Sequence, residues 1–113
     1  MKKILLVLIA SFFLFGCGTK ENKEISYKEI MQEKEYIIID VRTKEEYESG
    51  HVKGAINIPY NEINATTNID KNKNIFVYCK SGNRSKSAYN TLKNLGYSVY
   101  DLGAYQSIDL EKE

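Results

Sequence analysis

The sequence has few residues of the types that bind metals and no block of charge of one sign. Its two cysteines, Cys17 and Cys79, and its single histidine, His51, cannot easily supply the four ligands of a structural zinc site, so no metal site is expected. Sixteen basic residues stand against 15 acidic ones, without a basic block that would neutralise many phosphates. Nucleic acids are therefore not expected as partners.

The chain is also too short for several domains. Its 113 residues fit one ordinary domain. Hydrophobic residues make up 42% and charged residues 27%, which excludes both a disordered chain of low hydrophobicity and a polytopic membrane protein. A single small globular domain remains, and we expect it to be a monomer.

The first 16 residues have the pattern of an export signal. Lys2 and Lys3 give it a positive start, and the stretch 4–15 is apolar apart from Ser11. This stretch is too short for a spanning helix, which needs roughly 20 apolar residues, but it fits the apolar core of a signal peptide. We predict a signal peptide over residues 1–16 and an exported protein.

The predicted signal ends at a cysteine. The sequence Leu14-Phe15-Gly16-Cys17 resembles the lipobox of bacterial lipoproteins, in which a cysteine is lipidated and becomes the mature N-terminus. The alternative is an ordinary secretory signal, but no A-x-A-like cleavage site lies near Cys17. We expect a lipid anchor at Cys17, a polar tether over residues 17–24, and attachment to a membrane of a bacterial cell envelope.

Strand and helix patterns alternate along the rest of the chain. Capping-box sequences beginning at Ser26 and Thr43 predict the starts of two helices, and a third helix is predicted over 85–95. Four stretches predict strands: 36–41, 55–58, 75–78 and 97–102. This alternation favours an α/β fold, with a small parallel sheet covered by helices on both faces.

Cys79 stands where ligands bind in such sheets, at the carboxyl end of a strand. The loop that follows contains Gly82 and two cations, and it leads into the third predicted helix. A helix N-terminus and nearby cations can lower the pKa of a cysteine from about 8.5 to between 3.5 and 7.5. Gly82 allows successive backbone amides to form an anion-binding nest. We predict a reactive thiolate at Cys79, the alternative being a structural cysteine.

Three motifs resemble those of the rhodanese family of sulfurtransferases. The family commonly carries C-x-x-G-x-R-S in its active-site loop, and this chain has Cys79-Lys80-Ser81-Gly82-Asn83-Arg84-Ser85. The stretches 40–47 and 50–59 resemble the family's upstream motifs. The resemblance implies a rhodanese-like domain over 25–113, without a cofactor. It also implies transfer of sulfane sulfur from a small donor such as thiosulfate to a thiol or cyanide, through a persulfide on Cys79.

The resemblance also assigns roles within the site. Arg84 would act with Cys79 by stabilising the anion, and Asp40 and Arg42 would support the site from the framework. Five loop residues would bind the substrate: Lys80, Ser81, Gly82, Asn83 and Ser85. The family usually has a tryptophan near its last strand, whereas this chain has Tyr105 and no tryptophan at all, which could reshape one wall of the pocket.

The use of arginine supports this assignment independently. The chain has 14 lysines and only two arginines, Arg42 and Arg84, and both lie within these motifs. A planar guanidinium with several donors is therefore expected to matter at both positions. We predict that Arg42 is a buried partner of Asp40 or a glutamate, and that Arg84 contacts the substrate. His51 is predicted to be a structural loop residue rather than a base for Cys79.

Two other functions stay open. Phosphatases and arsenate reductases of the related fold resemble Cys-x5-Arg, whereas four residues separate Cys79 from Arg84 here. A non-catalytic sulfur carrier or interaction lipoprotein is the other alternative. An ordinary pKa at Cys79 would favour it over the enzyme.

Overall fold

The computed structural model describes residues 26–113. The predicted signal peptide, the predicted lipidation site Cys17 and the predicted tether lie outside the described residues. The chain divides after Ile30 into two units, and residues 31–113 form the second. Within the described part of the chain, no helix combines the length and the apolar character needed to cross a membrane.

Strands and helices alternate through residues 26–113, as the sequence predicts. The helices are α1 (Tyr27–Glu33), α2 (Lys44–Glu48) and α3 (Asn83–Asn94). The strands are β1 (Tyr36–Asp40), β2 (Ile56–Asn57), β3 (Asn74–Cys79) and β4 (Ser98–Ala104). Short 3₁₀ turns occupy Tyr60–Glu62 and Tyr105–Ser107.

The four strands form one parallel sheet in the order β2-β1-β3-β4. Asp40 on β1 is paired with Tyr78 on β3, so Cys79 lies one residue beyond this pair. The chain stays paired past the strand, because Val41 N donates a hydrogen bond to Tyr78 O at 3.0 Å. The carboxyl ends of β1 and β3 therefore lie side by side, and the predicted α/β fold with a small parallel sheet is confirmed.

The hydrophobic core includes alternate residues of the central strands and one side of α3. Every residue of β3 is buried, which explains why the stretch 75–79 is a continuous apolar run rather than an alternating one. Alternating positions of β1 and β3 send Ile39, Val77 and Cys79 into the same cluster as Ala88 and Leu92 of α3. The thiol of Cys79 thus forms part of the packed interior beneath α3.

Helix α2 starts at the predicted capping box. Glu46 N donates to Thr43 Oγ1 at 3.2 Å, and Thr43 N donates back to Glu46 Oε1 at 3.0 Å. These two bonds satisfy backbone amides that a helix start would otherwise leave without partners. Gly50 follows the C-cap residue Ser49 with a φ of 149°, a backbone conformation that glycine adopts more readily than residues with a side chain.

Helix α3 starts at Asn83, two residues before the predicted position. Gly82 is its N-cap, with a φ of 103° and no side-chain hydrogen bond to the helix. Because this cap has no serine, threonine or acidic side chain, the usual sequence signal for a helix start is absent. The loop after β3 is correspondingly short, and Arg84 lies in the first turn of α3.

Candidate active site

Cys79 ends β3 and is directed at the start of α3. Its side chain is fully buried, and Sγ accepts a hydrogen bond from Gly82 N at 2.9 Å. The 12-residue helix α3 adds the positive end of its dipole at the same place. A backbone amide and a helix N-terminus both stabilise negative charge on sulfur, so this is a suitable position for an anionic sulfur atom.

Gly82 is required at this point for conformational reasons. Its φ of 103° lies in a region that residues with a side chain rarely adopt. A Cβ built on Gly82 would meet no atom within 4 Å, so space is not the constraint. This conformation gives the tight turn that brings the Gly82 amide back to Cys79.

The other predicted substrate-binding residues differ in exposure. Lys80, Ser81 and Asn83 are exposed around the loop. Ser85 is fully buried, and its hydroxyl donates to Gly82 O at 3.1 Å. Its side chain therefore holds the loop closed, and contacts between these residues and a substrate stay predictions.

Arg84 pairs with Glu46, a partner that the sequence analysis does not identify. Nη1 of Arg84 donates to Glu46 Oε1 at 2.9 Å, and Nη2 donates to Oε2 at 3.3 Å. This fork-to-fork geometry joins the first turn of α3 to the first turn of α2. The hydrogen bond to Glu46 raises the pKa of Arg84. The sequence holds one signal for this pair, the position of Glu46 in the family's upstream motif, but the capping box already accounts for Glu46.

Glu46 is charged at every physiological pH. Its hydrogen bond from Arg84 is the main cause that lowers its pKa to about 2, and the Thr43 amide adds to the effect. A carboxylate with a lowered pKa in the folded state contributes stability above its unfolded pKa and loses it as the pH falls toward the folded value. The contribution of this pair is therefore complete at neutral pH and declines only between about pH 4.5 and about pH 2.

Arg42 is a buried partner of Asp40, as predicted. Its Nε and Nη2 donate to the Asp40 carboxylate at 2.7–3.0 Å, and Nη2 also donates to Gly50 O at 2.6 Å. The hydroxyl of Tyr78 donates to Asp40 Oδ2 at 2.8 Å and accepts from Val52 N at 2.9 Å. Burial raises the pKa of Tyr78, so this hydroxyl keeps its proton. The network fixes the end of β1 beside the end of β3.

Tyr105 covers the Arg42 side of this network. The guanidinium carbon of Arg42 lies 4.4 Å from the centre of the Tyr105 ring, and that ring stacks on Tyr78 with centroids 5.7 Å apart. Cation–π contact of this kind favours a buried guanidinium. Tyr105 therefore supplies an aromatic wall where the resemblance leads one to expect tryptophan.

His51 has a structural environment. One ring nitrogen lies 2.9 Å from Tyr47 O, the other lies 3.1 Å from Glu113 Oε2, and the ring stacks on Tyr47 at 3.9 Å. Both nitrogens are thus occupied by partners other than Cys79. This arrangement agrees with the predicted loop role of His51.

Comparisons with known proteins point in the same direction as this geometry. The family model described as "Rhodanese-like domain" matches residues 25–108. The thiosulfate sulfurtransferase PspE of Escherichia coli is 42% identical over 78 residues, which are 66% of this chain and 75% of that protein. The putative sulfur carrier protein YrkF of Bacillus subtilis is 41% identical over 61 residues, 53% of this chain and 33% of that protein.

Solved structures are similar as well. A rhodanese with anions from E. coli has a TM-score of 0.64 and 40% identity, covering 69% of this chain and 96% of that one. The BH2092 protein from Bacillus halodurans has a TM-score of 0.65 and 25% identity, covering 88% of this chain and 83% of that one. Both likenesses agree with the observed sheet and helices.

Proposed function

The chain belongs to the rhodanese family, and from that premise we propose that it is a sulfurtransferase that carries sulfane sulfur on Cys79. The observation that carries the proposal is the hydrogen bond from Gly82 N to Cys79 Sγ at the start of α3. It supports an anionic sulfur at the end of β3, which both a nucleophilic thiolate and a persulfide require.

The proposed reaction has two displacement steps. The Cys79 thiolate attacks the outer sulfur of thiosulfate, a bond forms between the two sulfurs, and sulfite leaves with the electron pair of the broken S–S bond. An acceptor thiolate or cyanide then attacks the terminal sulfur of the Cys79 persulfide. The acceptor leaves bonded to that sulfur, and the electron pair of the broken S–S bond stays on Cys79. The Cys79 thiolate is thereby regenerated, and the charge of the protein is the same before and after the full cycle.

The loop supports this chemistry better than phosphate chemistry. Cys79 and Arg84 are separated by four residues, and the backbone between β3 and α3 turns within Lys80, Ser81 and Gly82. The Gly82 amide reaches back to the sulfur itself. The relatives' names also concern sulfur, since one is a thiosulfate sulfurtransferase and another a putative sulfur carrier protein.

Replacement of Arg84 by alanine is expected to lower the rate of sulfur transfer from thiosulfate about a hundredfold. Removal of one positioned donor to a developing anion costs about 2.7–4 kcal/mol, and the Glu46 carboxylate would lose its cationic partner beside the site. Arg84→Lys should recover part of the rate, because a point charge replaces the planar fork. Steady-state assays with cyanide and with a thiol acceptor measure both effects.

Rapid hydrolysis of an aryl phosphate by the wild-type protein would instead favour the phosphatase alternative.

We also propose that Cys17 carries lipid and anchors the exported domain to a membrane. The charged start, the short apolar stretch and Gly16 before the cysteine support this proposal. Labelled fatty acid should enter the wild-type protein and should not enter Cys17→Ser, which should be released from the membrane fraction. Cys79→Ser is the matched control and should label like wild type. Equal labelling of all three proteins would contradict the proposal.

A further inference from the structure

The positive charge of Arg84 is offset before any substrate arrives. Both terminal nitrogens of its guanidinium donate to the two carboxylate oxygens of Glu46. The pair is partly buried, with 28% of the Arg84 side chain and 29% of the Glu46 side chain exposed. An anion that approaches the guanidinium therefore also experiences the negative field of a carboxylate bound to it.

Glu46 cannot easily swing away to release this cation. Its Oε1 also accepts hydrogen bonds from the backbone amide of Thr43 at 3.0 Å and from the Thr43 hydroxyl at 3.2 Å. These bonds belong to the capping box that starts α2, so moving the carboxylate would also remove a helix cap. The offsetting charge is built into the fold.

We propose that Glu46 determines how strongly the site discriminates between sulfur donors of different charge. Its carboxylate lowers the preference of the site for a dianionic donor relative to a monoanionic one. This inference rests on the proposed sulfurtransferase function and adds a specificity-determining residue to it. Glu46 acts through Arg84, to which its carboxylate is hydrogen-bonded, and is a positioning residue rather than a catalytic one. The site is therefore expected to accept monoanionic sulfane donors as well as the dianion thiosulfate, and to discriminate between them less than an unpaired Arg84 would.

Two donors of the same chemistry but different charge can test the proposal. Thiosulfate is a dianion and releases sulfite, whereas methanethiosulfonate is a monoanion and releases methanesulfinate. In both cases the Cys79 thiolate gains one sulfur atom, the sulfur–sulfur bond of the donor breaks, and the leaving group takes the electron pair. The ratio of kcat/KM for thiosulfate to kcat/KM for methanethiosulfonate therefore reports the charge preference of the site.

Glu46→Gln is the decisive variant. Glutamine also serves at this position of a capping box. With its amide oxygen in the place of Oε1 it can still accept from Thr43 N and from Arg84 Nη1, so the variant removes the charge and loses only the longer bond from Arg84 Nη2. We expect the donor ratio to rise about fivefold, mainly through a lower KM for thiosulfate, because one partly exposed charge has an effect of about this size. The rise should shrink in high salt, since salt screens exposed charges.

Glu45→Gln is the matched control, because Glu45 is an exposed carboxylate in the same turn of α2. It should leave the donor ratio within about twofold of wild type, since removing a single exposed charge has little effect. An unchanged or lower ratio in Glu46→Gln, or an equal rise in both variants, would overturn the role of Glu46. Failure of the wild-type protein to take sulfur from either donor would overturn the proposed function itself, which is a different result.

Discussion

Replacement of Cys79 by serine is expected to abolish sulfur transfer completely. A serine hydroxyl is not ionised at neutral pH and cannot hold a persulfide, whereas the proposed reaction needs the Cys79 thiolate both as the nucleophile and as the sulfur carrier. Intact-mass measurement after incubation with thiosulfate checks this directly. Wild-type protein should gain the mass of one sulfur atom, and Cys79→Ser should gain none.

The chain offers a matched control for this experiment. Cys17 is the only other cysteine, so Cys17→Ser should gain one sulfur atom in the same way as wild type. A mass gain that persists in Cys79→Ser would place the sulfur on another residue. A wild-type protein that gains sulfur but passes none to cyanide or a thiol would be a sulfur carrier rather than a complete sulfurtransferase.

Local patterns in the sequence predict much of the fold correctly. The capping box at Thr43 depends only on residues three apart, and it forms as predicted. β3 is buried at every position, so its apolar run is a direct consequence of its environment. The Asp40–Arg42 pair could also be predicted, because the residues lie two positions apart at a strand end and arginine is scarce elsewhere.

Contacts between distant segments could not be predicted in this way. Glu46 and Arg84 are 38 positions apart, and each already has a sufficient local explanation, one as a capping residue and the other as a motif arginine. Tyr105 packs over Arg42 although the two residues are far apart in the sequence, so only the three-dimensional structure shows this contact. The sequence predicts the start of α3 two residues too late, because a glycine cap depends on backbone conformation rather than on a side chain.

The Arg84–Glu46 pair and the Arg42–Asp40 pair differ in burial, and this difference separates their roles. Arg84 keeps 28% of its side chain exposed beside the loop. Arg42 is 5% exposed and donates to Asp40 and Gly50, so its hydrogen bonds hold the framework together. Arginine thus stabilises the fold at position 42, whereas at position 84 it is partly exposed beside the loop, as the proposed contact with substrate requires.

Asp40→Asn is therefore expected to lower the free energy of unfolding by about 3–5 kcal/mol, the usual effect of breaking one side of a buried ion pair. The asparagine has the same volume, so no cavity complicates the result. The Arg42 guanidinium would lose its anionic partner, and the Tyr78 hydroxyl would lose a charged acceptor. Urea unfolding of the full chain measures the change. Glu48→Gln is the control, since its ion pair with Lys44 is exposed and should contribute less than about 1 kcal/mol.

The double variant Asp40→Asn with Arg42→Met makes this test specific for the pair. Methionine removes the guanidinium but keeps an unbranched apolar side chain, so the asparagine no longer faces an uncompensated buried charge. If the cost of Asp40→Asn arises from the unpaired Arg42, the double variant should be less destabilised than the sum of the two single variants. Strictly additive losses would mean that Asp40 stabilises the fold mainly through Tyr78 and the backbone amide of Arg42, which donates to Asp40 Oδ1 at 2.9 Å.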